Sequence, residues 1–268
     1  MKRWGLYPGL VLAAFVVLFP LLFALSLSLQ GDTVAPHLFP DATRLDFSAF
    51  AQVFQKEPLM GRWMLNSWVV SVAVTAGQLV VSILAAYPLA LFRFRGRKLV
   101  FVLVLASVMI PWESTILPNY LMMARWGWKD TYQVLVVPFL ASGFGIFLLR
   151  QAFLVIPKEL QEAAVMEGAG RARYLWTFLV PLTKPALATL GVWTFLNTWN
   201  QYYWPLLVID NPVWRTTQVG ITAFRSTEIE SFNLPMAATL IVMAPTLVVL
   251  YVGQKYLVEG LTAGAVKG

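Results

Sequence analysis

Long apolar runs separated by short charged stretches make up most of this chain. Six segments, at about 9–29, 63–92, 99–118, 132–149, 186–209 and 234–256, are predominantly apolar. A helix needs roughly 20 such residues to cross a bilayer. The pattern therefore predicts an all-α fold, a polytopic membrane protein with six transmembrane helices. It also predicts a single transmembrane domain over residues 1–268. Lys2 and Arg3 before the first run, with Ala24-Leu25-Ser26 at its far end, also fit a secretory signal peptide. The apolar run from Leu10 to Leu29 exceeds the about 7–15 residues of a signal core. A retained first helix is the expectation.

Pro88, Pro111, Pro118, Pro138, Pro205 and Pro245 fall in or near these spans. In a soluble helix interior each would cost about 3 kcal/mol. In a membrane bundle, neighbouring helices and cavity water satisfy the freed carbonyls, so prolines there mark kinks beside a pathway or plain helix ends.

Composition agrees with the pattern. Hydrophobic residues are 59% of the 268 and charged residues only 12%, with mean hydropathy +0.69. A soluble domain carries about a quarter charged residues, so most of this surface must meet lipid or other helices. The net charge of +7 lies in loops, with no continuous basic face that could track nucleic acid phosphates. Thirteen of the 20 Lys and Arg residues fall in segments 1–3, 93–98, 150–185 and 255–268. Segments 31–62, 119–131 and 211–233 hold the other seven. Positive residues favour the cytoplasm, which places both termini and the 150–185 loop there. Cysteine is absent and His37 is the single histidine, so neither a disulfide framework nor a metal centre is expected.

The loop at about 157–185 is the most polar feature between spans. Pro157 suits a helix start, Lys158 to Glu167 are good helix formers, and Gly168 suits the left-handed residue that ends a helix. Leu160, Ala163, Ala164 and Met166 give that helix a small, flat apolar face, and Glu159, Glu162 and Glu167 offer carboxylates to a partner. A second helix is expected over about Arg171 to Val180, closing at Pro181. Spacing alone fits two readings equally: a docking surface, or a solvated hairpin in which Lys158 and Glu162 pair at i,i+4.

Two polar stripes interrupt the spans. Ser67, Ser71, Thr75, Gln78 and Ser82 share one face of span two, and Asn197, Asn200, Gln201 and Trp204 follow helical spacing in span five. Polar side chains avoid lipid, so both stripes should face protein or a wet cavity. Small hydroxyl residues also let membrane helices pack closely. Amides can exchange hydrogen bonds with hydroxyl groups, and the rings of Trp199, Tyr203 and Trp204 suit sugar C–H groups. Interfacial anchoring is the rival role for those rings. Gln78, Asn197, Asn200, Gln201, Tyr203 and Trp204 are thus candidate pathway residues. Glu113, the one acid well inside an apolar segment, joins them toward the outer end of span three.

The hairpin carries a further signal. Glu162-Ala163-Ala164, then Gly168, then Phe178-Leu179-Val180-Pro181 resemble the E-A-A-x3-G-x9-I-x-L-P pattern of ABC-importer permeases. Phe178 and Val180 stand where Ile and Leu are usual, and Glu167 where sugar-type members carry Asp. Trp199-Asn200-Gln201-Tyr202-Tyr203-Trp204-Pro205-Leu206-Leu207 and the ending from Gln254 to Gly268 are similar to the second permease of maltose, multiple-sugar and glycerol-3-phosphate importers. The resemblance implies a type I importer permease fold and a chain that is not itself an enzyme. Glu162, Ala163, Ala164, Glu167, Gly168 and Pro181 would couple it to an ATPase. Its implied partners are a homologous sister permease, two ATPase subunits and an extracytoplasmic solute-binding protein. Arg215, Phe224 and Arg225 would meet that binding protein. ATP and Mg would sit on the ATPase, with no cofactor on this chain, which has no G-x4-G-K-[ST] loop. The location implied is a bacterial or archaeal cytoplasmic (inner) membrane.

Spans two and five carry no basic residue between Trp63 and Phe92 or between Ala186 and Asp210. A buried phosphate dianion needs cationic partners, so the residues favour a neutral sugar or polyol, while the W-N-Q-Y run leans toward glycerol-3-phosphate. A proton- or sodium-driven carrier is the alternative of another class. It would call for inverted repeats and charged pairs at mid-membrane.

Overall fold

The structure, a computed structural model, describes residues 6–31, 45–224 and 232–262, and the regular structure among them is helical. Three helices are long and apolar enough to cross a membrane unbroken. They are α1 (Leu6–Ser28), α3 (Met60–Leu91) and α14 (Asn233–Thr262), the last over Asn233–Tyr256. Three further candidate spans are bent pairs. The helices α4 (Arg97–Val108) and α5 (Trp112–Arg125) meet at 95°. A short α6 (Tyr132–Val136) with its 3-10 continuation to Phe139 meets α7 (Gly143–Val155) at 45°. The helical run Arg171–Leu182, with α9 (Arg171–Arg173) and α10 (Val180–Leu182) at its ends, meets α11 (Lys184–Trp199) at 78°. With each pair counted as one span, the chain has up to six candidate spans by length and composition, the fifth covering Arg171–Trp199 where 186–209 was expected.

Three of the predicted spans are not the continuous helices the periodicity suggests; 132–149 breaks between Phe139 and Gly143. The stretch 99–118 turns a corner at Met109–Pro111. Pro111 is extended (φ −60°, ψ 133°), and its ring disfavours helical backbone at the residue before it. The stretch 186–209 stops at Trp199 and restarts as α12 (Tyr203–Val208). Pro205 has no N–H for the Gln201 carbonyl and crowds it, so the turn ahead of it opens. Asn197 and Asn200 therefore belong to the end of one helix, and Trp204 to the next.

The chain forms two compact units. One comprises residues up to Leu65 together with Thr216–Thr246; the other is Asn66–Arg215 together with Leu247 onward. In the first, a helix not anticipated from the sequence, α2 (Ser48–Lys56), lies in the stretch 31–62, expected as a loop. Its nine residues are too few to register as a span, yet Ala49 and Val53, one turn apart, are buried. Asp46 accepts the Ser48 N–H at 2.7 Å, and this bond holds its carboxyl below the usual carboxylate range. Trp63 completes that unit's core. Gly220, in α13 (Thr217–Gly220), lies flat against its indole, where a Cβ would collide, and the Thr217 hydroxyl donates to the Trp63 carbonyl at 3.2 Å.

The second unit has two apolar clusters. One joins Ile83, Tyr87 and Ala90 of α3 to Leu149 and Phe153 of α7, with Tyr174, Leu175 and Leu179 beyond. The other packs Val70 and Val74 against Met123, Leu135, Trp204 and Val208. The helix α3 reaches into both. At 32 residues it is about 48 Å long, well beyond the roughly 30 Å hydrocarbon layer.

Candidate functional site

The polar loop folds as a helical hairpin. Pro157 is extended and sits one residue ahead of α8 (Lys158–Met166) rather than inside it. The Gly168 N–H donates to the Val165 carbonyl and the Ala169 N–H to the Ala164 carbonyl, both at 2.9 Å. That pair of bonds is a Schellman cap, with Gly168 at φ +76° as the left-handed residue it requires. The two alanines face differently. Ala164 is 3% exposed and joins the core with Tyr87 and Tyr174, whereas Ala163 is exposed. Glu162, Glu167, Leu160, Val165 and Met166 (88% exposed) are also exposed, so the outer face of α8 mixes carboxylates with uncovered apolar groups. No ion pair joins Lys158 to Glu162 among the described residues. Glu162 and Met166 line a groove of about 860 Å³ with Arg93 and Arg97.

The hairpin's second helix differs from its prediction. It runs through Pro181 to Leu182, and Tyr174–Leu179 adopt a widened π-helical turn. A proline ring clashes with the carbonyl four residues back, here Thr177, which lies inside that turn. Thr183 then makes the 78° corner into α11, its hydroxyl donating to the Leu179 carbonyl at 2.9 Å. Tyr87 ties the hairpin to α3, donating from its hydroxyl to the Arg171 carbonyl at 3.0 Å, and the Arg171 guanidinium lies 4.8 Å from the centre of the Phe92 ring. Ala164, Tyr174 and Tyr87 thus give a packed route between α8 and α3.

The candidate pathway residues separate into two groups. Asn197, Asn200 and Tyr203 are exposed on this chain, as is Trp193 one turn before Asn197, and Gln201 is half-buried. The amides of Asn197 and Asn200 donate to carbonyls four residues back, each at 2.8 Å. Trp204, expected among them, is 0% exposed. Its indole donates to the Val134 carbonyl at 2.8 Å and packs edge-on to Trp112, leaving no ring face for a solute. Gln78 is committed inside the protein, donating to the Phe139 carbonyl at 3.0 Å and accepting from the Thr194 hydroxyl. Of its stripe, Ser67, Ser71 and Ser82 are buried. Glu113 stands exposed in the first turn of α5, where the unpaired N–H groups of a helix start favour a carboxylate.

The segment after α12 is held by residues that sequence reasoning passed over. Asn66 is 0% exposed, and its amide donates to the carbonyls of Val213 and Arg215, both at 2.9 Å. Arg215 is half-buried, with a buried Nε that finds no partner among the described residues. Phe224, expected at a partner surface, is buried in the core with Ala237 and Val242, because its aromatic bulk fills that cluster. Arg225 lies outside the described residues. Asp130, at φ 57°, accepts the N–H groups of Asp210 and Asn211 at 2.8 and 2.9 Å, and beside it Lys129 pairs with Asp210 at 2.5 Å. The signal for Asp130 was present in Gly127-Trp128-Lys129-Asp130, since Asp tolerates left-handed backbone and binds nearby N–H groups. Asn66 gave none beyond lying next to the Ser67 stripe.

The chain combines interrupted apolar helices with a capped, exposed hairpin. The family model of the binding-protein-dependent transport system inner membrane component matches residues 78–262, and the chain belongs to that family. It is therefore the membrane-embedded permease subunit of an ABC importer. The sn-glycerol-3-phosphate transport system permease protein UgpE of Yersinia pestis bv. Antiqua (strain Antiqua) is 36% identical over 264 residues, covering 94% of this chain and 93% of that protein. The arabinooligosaccharides transport system permease protein AraQ of Halalkalibacterium halodurans is 30% identical, covering 99% and 96%. In fold, the chain resembles the crystal structure of a bacterial ABC transporter involved in import of the acidic polysaccharide alginate. That match has TM-score 0.84 at 24% identity, covering 96% of this chain and 98% of the other.

Proposed function

We propose that this chain, 1–268, acts as one permease domain forming half of the pathway for a sugar or polyol-type solute. A sister permease forms the other half, an extracytoplasmic binding protein delivers the solute, and two ATPase subunits bind ATP and Mg. The carrying observation is α8, whose exposed Glu162, Ala163, Val165 and Met166 stand uncovered above an inward-packed Ala164. An ATPase docked there acts on α3 through the packed route described above. The Lys and Arg distribution supports a cytoplasmic hairpin and cytoplasmic termini in a bacterial or archaeal inner membrane. Replacing Glu162 with Lys is expected to leave the chain in the membrane but reduce ATPase co-purification. Normal assembly and uptake in that variant would overturn the docking assignment.

For the solute, exposed Asn197, Asn200 and Tyr203 offer amides and a ring, and the sequence from Ala186 to Asp210 holds no Lys or Arg, which supports a neutral, hydroxyl-rich solute. A glycerol phosphate is the second reading, favoured by the 36% identity to a glycerol-3-phosphate permease over nearly the whole chain. A cationic site on the sister subunit would then be required. Uptake competition separates the two: inhibition by glycerol-3-phosphate alone selects the phosphate, and inhibition by neutral sugars alone selects the first reading.

A further inference from the structure

A second groove, of about 910 Å³, opens beside the hairpin and has a different character. Arg93, Arg97, Lys98 and Arg150 line it, with no carboxylate among the lining residues. The turn from α3 into α4 brings them together, with Gly96 at φ +84° ahead of α4. Two of the four are aimed by the backbone: Arg97 donates from Nη1 to the Phe92 carbonyl and Arg150 from Nε to the Leu89 carbonyl, each at 3.0 Å. The Arg150 guanidinium also lies 3.9 Å from the centre of the Phe101 ring. Each guanidinium carries five N–H donors, so most remain uncommitted. The side chains of Arg93 and Lys98 have no hydrogen bond or ion pair among the described residues.

Like charges gathered in one groove repel unless an anion joins them. The walls identify which anion. Leu99 (63% exposed) and Val102 (57% exposed) flank the basic cluster on α4, half of a candidate span. A soluble anion would use the cations and leave those side chains uncovered. An amphiphile with a phosphate head and acyl chains would use both. Basic pockets between membrane helices bind anionic head groups on this principle.

We infer that the groove formed by Arg93, Arg97, Lys98 and Arg150 binds the phosphate head group of an anionic phospholipid in the leaflet on the hairpin side. Its acyl chains lie along Leu99 and Val102. Only the identity of that leaflet rests on the reading of the hairpin as cytoplasmic. Arg93 and Arg97 also line the groove that contains Glu162, so an occupied head-group site lowers the positive potential facing α8.

The test uses the assembled transporter, washed in detergent and titrated with phosphatidylglycerol or phosphatidylcholine, with bound lipid read by native mass spectrometry. The expected result is selective retention of phosphatidylglycerol, reduced about tenfold or more in the Arg93→Gln/Lys98→Gln variant. Both side chains lack partners in the fold, so the variant should assemble. A Leu99→Ser/Val102→Ser variant should weaken retention as well. Three outcomes would overturn the proposal: equal retention of the two lipids, full retention in the Gln variant, or loss of lipid to millimolar inorganic phosphate. In the last case the site is for a free anion. Where the ATPase still co-purifies but no lipid is retained, this inference fails and the coupling assignment stands.

Discussion

The Tyr132 hydroxyl donates a 2.8 Å hydrogen bond to Oδ1 of Asn66, a fully buried amide whose nitrogen already serves the carbonyls of Val213 and Arg215. One side chain of α3 thus fixes the segment after α12 at two points and is itself fixed by α6. Tyr132 is positioned in turn by the Trp214 ring, 5.0 Å away and nearly perpendicular.

Asn66→Leu should destabilise the transporter clearly more than Tyr132→Phe. The first strands two carbonyls and a hydroxyl, whereas the second strands only Oδ1 of Asn66, each unmade part-buried bond costing about 1–3 kcal/mol. Thermal unfolding in detergent measures the order. Equal shifts would show that Asn66 is not the hub.

At Gly168 the demand is purely conformational, because a Cβ there meets nothing within 4 Å. Gly168→Val, at a φ only glycine takes freely, should cost about 1–2 kcal/mol and loosen the end of α8. Gly168→Asn should lose far less, since Asn visits this backbone region. ATPase retention during purification is the readout, and identical behaviour of the two variants would argue against a role for the cap.

Asp130 combines a left-handed backbone with a carboxylate that accepts two N–H groups. Asp130→Ala loses both charge-assisted bonds, each worth about 1.5–3 kcal/mol, and keeps the strain. Asp130→Asn keeps an acceptor and a tolerated conformation, so it should retain most of the stability. A melt in which Ala and Asn coincide would rule out the acceptor role.

Trp204 and Asn200 lie four residues apart and should respond differently. Trp204→Phe leaves the Val134 carbonyl unpaired in the core, so the melting temperature should fall with the uptake KM unchanged. Asn200→Ala, on an exposed face, should raise KM with little effect on melting. The opposite pattern would return Trp204 to the pathway and remove Asn200.

The sequence alone determined the membrane class, up to six candidate spans and the polar helical hairpin. Each rests on information that is local along the chain: apolar runs of a set length, a proline–helix–glycine order, and the E-A-A-x3-G pattern of Glu162 to Gly168. The corners at Pro111 and Thr183, the break at Asn200–Tyr202 and the burial of Trp204 and Phe224 were decided by tertiary structure. A proline in an apolar run reads the same whether its helix bends, ends or widens into a π turn, because neighbouring helices supply or withhold partners for the freed carbonyls. Helical spacing marks which residues share a face, but not whether that face meets solvent, lipid or protein. Hence Ala163 and Ala164 look equivalent in sequence, while only Ala164 meets Tyr87 and Tyr174, and Asn66 shows its role only once Val213 and Arg215, far along the chain, come within 2.9 Å.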